Sequence, residues 1–422
     1  HEPPKQQPFI VTATGLKGID DARVVFDPNA MDASGQTSMD WYEVSPHGNR
    51  IAVSLSRGGS ELGTLYVFDV RTGRRLDAPI PRVNSGTAGG SLAWTPDSNA
   101  FFYTRHFPID RQDPSDGRVY QHVYYHRVGS SQRSDYYELG QGFPTIAEIQ
   151  LEMQPSTGRL LATVQKGDGG EFAHYLREPR GTWRQFSQFG DRIVQAVFAD
   201  PQQLYLVSLA EAPRGRILSL PVKSLDLEQS QILIAESQDT IVSSGTAFWG
   251  EQTVVPTKDR IYVVYQLGGP SEIRAFDRQG NPQTAPTQLD VSTVYGLERM
   301  GDDDLLFGNV SFVQPPAYYR YRAASNDTEK TDLASASPVS MDDALVRREF
   351  ATSPDGTRVP LNIVMHKDTP LDGNRPCIVT GYGGYGVSVE PRFRSLNSVY
   401  LRHGLIFVTT NLRGGGEYGE QW

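Results

Sequence analysis

Two glycine-rich turns carry the residues best suited to chemistry. They are Gly381-Tyr382-Gly383-Gly384-Tyr385-Gly386 and Asn411-Leu412-Arg413-Gly414-Gly415-Gly416-Glu417-Tyr418-Gly419. Glycine lets a chain reverse within a few residues and lets backbone approach a ligand closely. A tyrosine in such a turn offers a phenolic O–H, protonated at neutral pH, that donates to negative charge developing on a tetrahedral intermediate. On spacing alone a blander alternative stays open, a tight turn whose tyrosines only pack. The letters Gly381-x-Gly383-x-x-Gly386 also match the dinucleotide-binding pattern. That pattern needs a helix starting at its third glycine to face a pyrophosphate. Here Val387-Ser388-Val389-Glu390-Pro391 follows, β-prone and ending in proline, so no such helix starts in place.

A nucleophile is harder to find. No serine has glycine at both −2 and +2; Ser388 comes closest, with Gly386 before it and Glu390 after. The eight histidines are scattered. His122 and His126 share one face of a strand, and with no carboxylate cluster nearby they read as sheet packing rather than a metal pair. His403 falls near a helix C-terminus, where the helix dipole favours it without any catalytic role. Asp302-Asp303-Asp304 and the Asp-rich loop from Asp110 to Asp116 read as solvated turns, since neither has EF-hand spacing. No metal and no organic cofactor is expected.

The elements around the turns follow an α/β pattern. Cys377 to Thr380 and Leu405 to Thr410 are apolar, strand-like runs that each precede a glycine turn. Between them, Phe393, Leu396 and Tyr400 have helical spacing over 393–403, and Gly404 supplies a stop. Strand, helix, strand with short connections is the grammar of an α/β sheet. In α/β-hydrolases the loop after the third strand supplies part of the oxyanion hole. Upstream, Val346 to Phe350 and Val359 to Val364 flank Ser353-Pro354-Asp355-Gly356, a hairpin signal. This second domain is expected from 346 to 422, unfinished at Trp422. Cys377, the single cysteine, excludes an intramolecular disulfide and is expected to be a buried, inert thiol.

The first 345 residues read differently. Turn signals near 45, 95, 155, 200, 257 and 301 each precede a strand-like run, such as Ile51-Ala52-Val53-Ser54-Leu55 or Ile261-Tyr262-Val263-Val264-Tyr265. Each unit carries a second strand further on, for example Leu65-Tyr66-Val67-Phe68 and Tyr318-Tyr319-Arg320-Tyr321. Repeating all-β units of ~40–50 residues are the signature of propeller blades. Phe9 to Thr14 looks like the surviving strand of a further unit. The fold class is therefore mainly β, a seven-bladed β-propeller over 1–345 followed by the first strands of an α/β-hydrolase domain.

Composition narrows the partners. At 422 residues, 38% apolar and 21% charged, the chain has the make-up of a soluble protein of two or three domains. Forty basic against 49 acidic residues give a net charge of −9, which argues against nucleic acid or an anionic membrane. No apolar run approaches the ~18 residues of a membrane span. The first residue is His1 and no basic-then-apolar leader follows, so both ends look cut. A monomer is expected; cytoplasm and periplasm stay open.

Taken together, the two glycine motifs, Pro391-Arg392-Phe393, Asp27-Pro28-Asn29 and Ser353-Pro354-Asp355-Gly356-Thr357 resemble the prolyl oligopeptidase family of serine peptidases. The resemblance covers essentially the whole chain, and the pairing of the glycine motifs is what makes it specific. It implies a seven-bladed propeller capping an α/β-hydrolase domain, with a Ser-Asp-His triad in the cavity between them. Tyr382 would then be the oxyanion-hole donor. Tyr385 falls where many prolyl-specific members have phenylalanine, as an aromatic wall for the residue before the scissile bond. The loop from Arg413 to Glu417 would brace the site, and Phe143-Pro144 aligns loosely with a propeller position reaching the cavity. The triad would lie beyond Trp422, so the expected activity is hydrolysis of short peptides after proline by the parent protein, with the 422-residue chain itself inactive. Two alternatives are a relative cleaving after Arg or Lys, and a propeller used only as a binding module.

Overall fold

The computed structural model describes residues 4–18, 21–86, 88–106, 120–241 and 252–422. Strands take 48% of the chain and helix 6%, which makes the fold mainly β. Each of the six turn signals leads into the strand it predicts. Arg50–Arg57, Ala100–Arg105, Arg159–Lys166, Gln203–Ser208, Arg260–Gln266 and Asp304–Ser311 each pair antiparallel with the next strand of their unit. Six sheets of four or five strands, with the short ladder Ile10–Thr12 against Arg23–Phe26, answer one for one to the six units and the amino-terminal fragment. The Asp110 to Asp116 loop lies outside the described residues.

The chain divides into two compact units. The first holds His1–Gly15, Ile19–Gln202 and Val222–Glu228. Its three four-stranded sheets bury both faces. Phe101 points to one side and packs with Trp94, Tyr103, Ala52 and Leu65; its neighbour Phe102 points to the other and packs with Val123, Ile149 and Leu160. Side chains alternate faces along a strand, so a strand covered on both sides reads as a continuous apolar run. Each large apolar side chain so buried contributes about 1.5–3 kcal/mol. Phe143, named above for the cavity, packs against Tyr175 in this same core, with ring centroids 5.2 Å apart and planes tilted by 42°.

His126 differs from its expected setting. Two aspartates meet it: Nδ1 lies 2.6 Å from Asp135 Oδ1 and Nε2 lies 3.5 Å from Asp77 Oδ2, with all three side chains at most 2% exposed. Tyr103 O–H donates to Asp135 Oδ2 at 2.7 Å, and the Gly129 N–H donates to Asp77 Oδ1 at 2.7 Å. Burial alone would lower the imidazole pKa, but the hydrogen bonds and charges of Asp135 and Asp77 outweigh it and push it up to about 9. Asp77 comes from the first sheet's side of the chain, so nothing near His126 in sequence announced it. His122, on the same strand, instead packs edge-on against Tyr137 at 5.4 Å.

The second unit holds Leu16–Gly18, Gln203–Pro221 and Gln229–Trp422. Its ladders include Gln203–Ser208, Arg216–Pro221 and Gln231–Ile234, then a five-stranded sheet and a four-stranded sheet that share a core of Tyr262, Val264, Leu305, Phe307 and Tyr321. Asp303 and Asp304 act as turn braces: Asp303 accepts from Thr257 and Asp259, and Asp304 accepts from the Ala323 N–H and from Arg320.

The last sheet is mixed, in the order Ala344–Thr352, Arg358–His366, Ile406–Asn411, Cys377–Tyr382. The first pair is the predicted hairpin; its turn closes with the Ser353 N–H on the Thr357 carbonyl at 2.8 Å and Gly356 at φ +85°. The last pair is parallel, joined through the helix Asn397–Arg402. That helix is shorter than the 393–403 expected, because Asn397 and Ser398 bond back three residues and tighten the entry into turns. Gly404 (φ +72°) ends it as expected, with the Gly404 N–H on Leu401 and the Leu405 N–H on Tyr400. One expectation fails. Cys377 is exposed, and so are Val379 and Tyr382, because their strand is the sheet's outermost and pairs on one side only. Its apolar run is an edge run, whereas Ile406–Asn411 is buried from Phe407 onward.

Candidate active-site loops

Parallel pairing brings the two glycine motifs together. The register runs from Cys377 opposite Ile406 to Tyr382 opposite Asn411, so both loops leave the same end of the sheet. Residues 383–389 and 412–419 then interlock. The Gly386 N–H donates to the Gly414 carbonyl at 3.0 Å, and the Gly414 N–H donates to the Trp422 carbonyl at 3.0 Å. The contact is close enough to demand glycine. A Cβ on Gly383 would sit 2.6 Å from the Arg413 carbonyl oxygen, and one on Gly414, at φ +93°, 2.4 Å from that of Gly383.

Beneath the loops lies a chain of three fully buried polar side chains, Asn362, Asn411 and Glu417. Asn362 Nδ2 donates to Asn411 Oδ1 at 3.0 Å. Asn411 Nδ2 donates to the Val389 carbonyl at 2.7 Å and to Glu417 Oε1 at 3.0 Å. Glu417 Oε1 also accepts the Val389 N–H at 2.9 Å. The hairpin loop at 267–270 abuts this network. A Cβ on Gly269 would lie 2.5 Å from Asn411 Oδ1, and Arg348 Nη2 donates to the Leu267 and Gly268 carbonyls.

Tyr382 stands at the end of its strand, 49% exposed, with its ring beside Gly384; Tyr385 is 91% exposed at φ +56°. Both therefore present their rings outward from the loop that the buried network holds. Arg413 turns away and pairs with Asp355. The Thr357 N–H first, and Arg413 second, hold the Asp355 carboxyl down to about 2. No helix starts at Gly386, where the chain runs on without regular structure to the turns before Asn397. Asn362 was not singled out in the sequence, and Asn411 was quoted only as the first residue of the second glycine motif; the available signal for Asn362 was an asparagine set between Leu361 and Ile363 in a largely apolar strand.

Stacked antiparallel sheets that lead into a mixed sheet with two interlocked glycine loops define a propeller joined to an α/β segment. Residues 1–333 match the family described as prolyl oligopeptidase, N-terminal beta-propeller domain, and the chain belongs to the prolyl oligopeptidase family. Relatives include the prolyl endopeptidase of Elizabethkingia meningoseptica, 24% identical over 94% of this chain and 55% of its own length. Prolyl oligopeptidase A of Amanita bisporigera is 25% identical over 94% and 54%. Among solved structures, one from a study of two prolyl endopeptidases gives a TM-score of 0.82 at 26% identity, over 95% of this chain and 57% of its own. Prolyl oligopeptidase B of Galerina marginata, bound to a 35mer hydrolysis and macrocyclization substrate, gives 0.82 at 21% identity over 96% and 58%, a likeness of fold. The chain spans little more than half the length of these relatives.

Proposed function

We propose that this chain is the propeller and the oxyanion side of a serine-type oligopeptidase that cleaves short peptides after proline. Residues 1–345 are the propeller, 346–422 begin the catalytic domain, and the serine, aspartate and histidine lie beyond Trp422. One observation carries most weight: in a member of this family, Tyr382 pairs with Asn411 at the sheet end where both glycine loops lock together. A phenol held there suits a developing oxyanion.

The serine oxygen bonds to the scissile carbonyl carbon as its proton passes to the histidine. The C–N bond then breaks, the histidine returns the proton to the leaving amine, and water hydrolyses the acyl-enzyme by the same route. Tyr382 donates to the carbonyl oxygen in both tetrahedral stages. Tyr385 offers its ring as a wall for proline. This chemistry asks for no metal or organic cofactor. The propeller screens substrates by size, and the enzyme acts as a monomer.

The test joins the chain to its downstream reading frame and assays a chromogenic peptide with proline before the leaving group. The longer protein should turn over, and the 422-residue chain should not. Tyr382→Phe should lower kcat by roughly 10²–10³ with KM little changed. Hydrolysis by the 422-residue chain alone, or an unchanged kcat in Tyr382→Phe, would refute the assignment.

A further inference from the structure

We infer that Glu417 is a positioning residue: its carboxylate clamps the far end of the Tyr382 loop, at Val389, onto the strand end at Asn411. The inference rests on the oxyanion role proposed for Tyr382. Loop 383–389 is held at three points. Its start is fixed by the pairing of Tyr382 with Asn411, its middle by the Gly386–Gly414 bond, and its end by Glu417 and Asn411 acting together on Val389. A single oxygen, Glu417 Oε1, takes both the Val389 N–H and Asn411 Nδ2, so it ties the loop and the strand to one point. Loss of that point frees the Val389 N–H and leaves the far end of the loop held by the Asn411 bond to the Val389 carbonyl alone, with Asn411 Nδ2 itself short of a partner.

Two features argue for more than packing. The side chain is fully buried, and its second oxygen, Oε2, has no hydrogen-bond partner among the described residues, a cost that a merely structural brace would avoid. The glycine run is also shaped around it. A Cβ on Gly415 would lie 2.0 Å from Oε2, so the middle glycine of Gly414-Gly415-Gly416 is the residue that admits the carboxylate.

The test is a double-mutant cycle in the longer, active protein, with amide exchange as a second readout. Glu417→Asp keeps the charge but withdraws the oxygen; it should lower kcat by roughly 10- to 100-fold with KM within about threefold, since ångström misplacement of a catalytic group costs that much. Glu417→Gln keeps an acceptor at Oε1 and should recover most of that loss. In a Tyr382→Phe background, Glu417→Asp should cost no more than about twofold, the non-additivity expected of residues acting as a unit. Exchange of the Val389 amide should quicken in Glu417→Asp and not in Glu417→Gln. Additive losses, a Gln variant as impaired as Asp, or an unchanged Val389 amide would overturn the inference. A null effect of Tyr382→Phe by itself would instead overturn the oxyanion role beneath it.

Discussion

Alkaline pH should loosen the first unit through one histidine. His126 sits between Asp77 and Asp135, all but sealed from water, and its pKa stands at about 9 against 6.5 for a free imidazole. The folded state thus favours the charged ring. That preference corresponds to about 3 kcal/mol of stability, present in full below pH 6.5 and lost as pH rises through about 9. Tyr103, whose hydroxyl donates to Asp135, is held protonated well above its ordinary value, chiefly by burial and then by Asp135, so it does not titrate in this window. The assay is urea unfolding at steps from pH 6 to pH 10, comparing the natural chain with His126→Gln. The natural chain should lose about 2–3 kcal/mol more than the variant between pH 7 and pH 10. The variant should be weaker at pH 7 by about 3–5 kcal/mol, because two buried aspartates lose their counter-charge. Parallel pH profiles for the two proteins would refute the charged cluster.

Four further outcomes are expected. His174 is fully buried with Nδ1 2.7 Å from Ser187 Oγ, and burial holds its pKa down to about 3; stability should fall as pH drops from 6.5 toward 3, and His174→Gln should flatten that acid limb in the same urea experiment. Gly383→Ala, whose Cβ would meet the Arg413 carbonyl, should lower stability, and Gly414→Ala, at φ +93°, should lower it by of order 1–3 kcal/mol through backbone strain, both read as a drop in Tm. The Asp355 carboxyl should titrate near pH 2 by NMR, and move toward the ordinary carboxylate range in Arg413→Ala. Cys377 in the folded 422-residue chain should react with a thiol reagent at the rate of an unfolded control; protection would contradict its edge position.

The repeat was legible because its signals are local. A turn such as Ser45-Pro46-His47-Gly48 and the run Ile51 to Leu55 lie within eleven residues, and both faces of that strand are buried, Ile51, Val53 and Leu55 on one side and Ala52 on the other. The outer strands were less legible. Thr37–Val44 is half-buried with mixed polarity, so nothing in its pattern separates it from a loop. Cys377 to Thr380 misled for the opposite reason, since an apolar run does not record whether it has one neighbour or two. At the candidate site, Tyr382 and the glycines were visible as types at spacings, and the loop from Arg413 to Glu417 was visible as a brace. Which residue does the bracing was not, and neither was Asn362, which reaches the site from a hairpin fifty residues upstream.

What the sequence determined by itself was a vocabulary: β units in series, a strand-helix-strand segment, and two glycine turns able to flank a reactive centre. Those follow from short-range backbone preference and from side-chain periodicity, which need no partner to be read. The tertiary structure decided the pairings. It set Tyr382 opposite Asn411, brought Glu417 to Val389, and carried Asp77 to His126. Each of these joins groups far apart along the chain, and their energies arise only when the fold excludes water and leaves buried polar atoms no other partner.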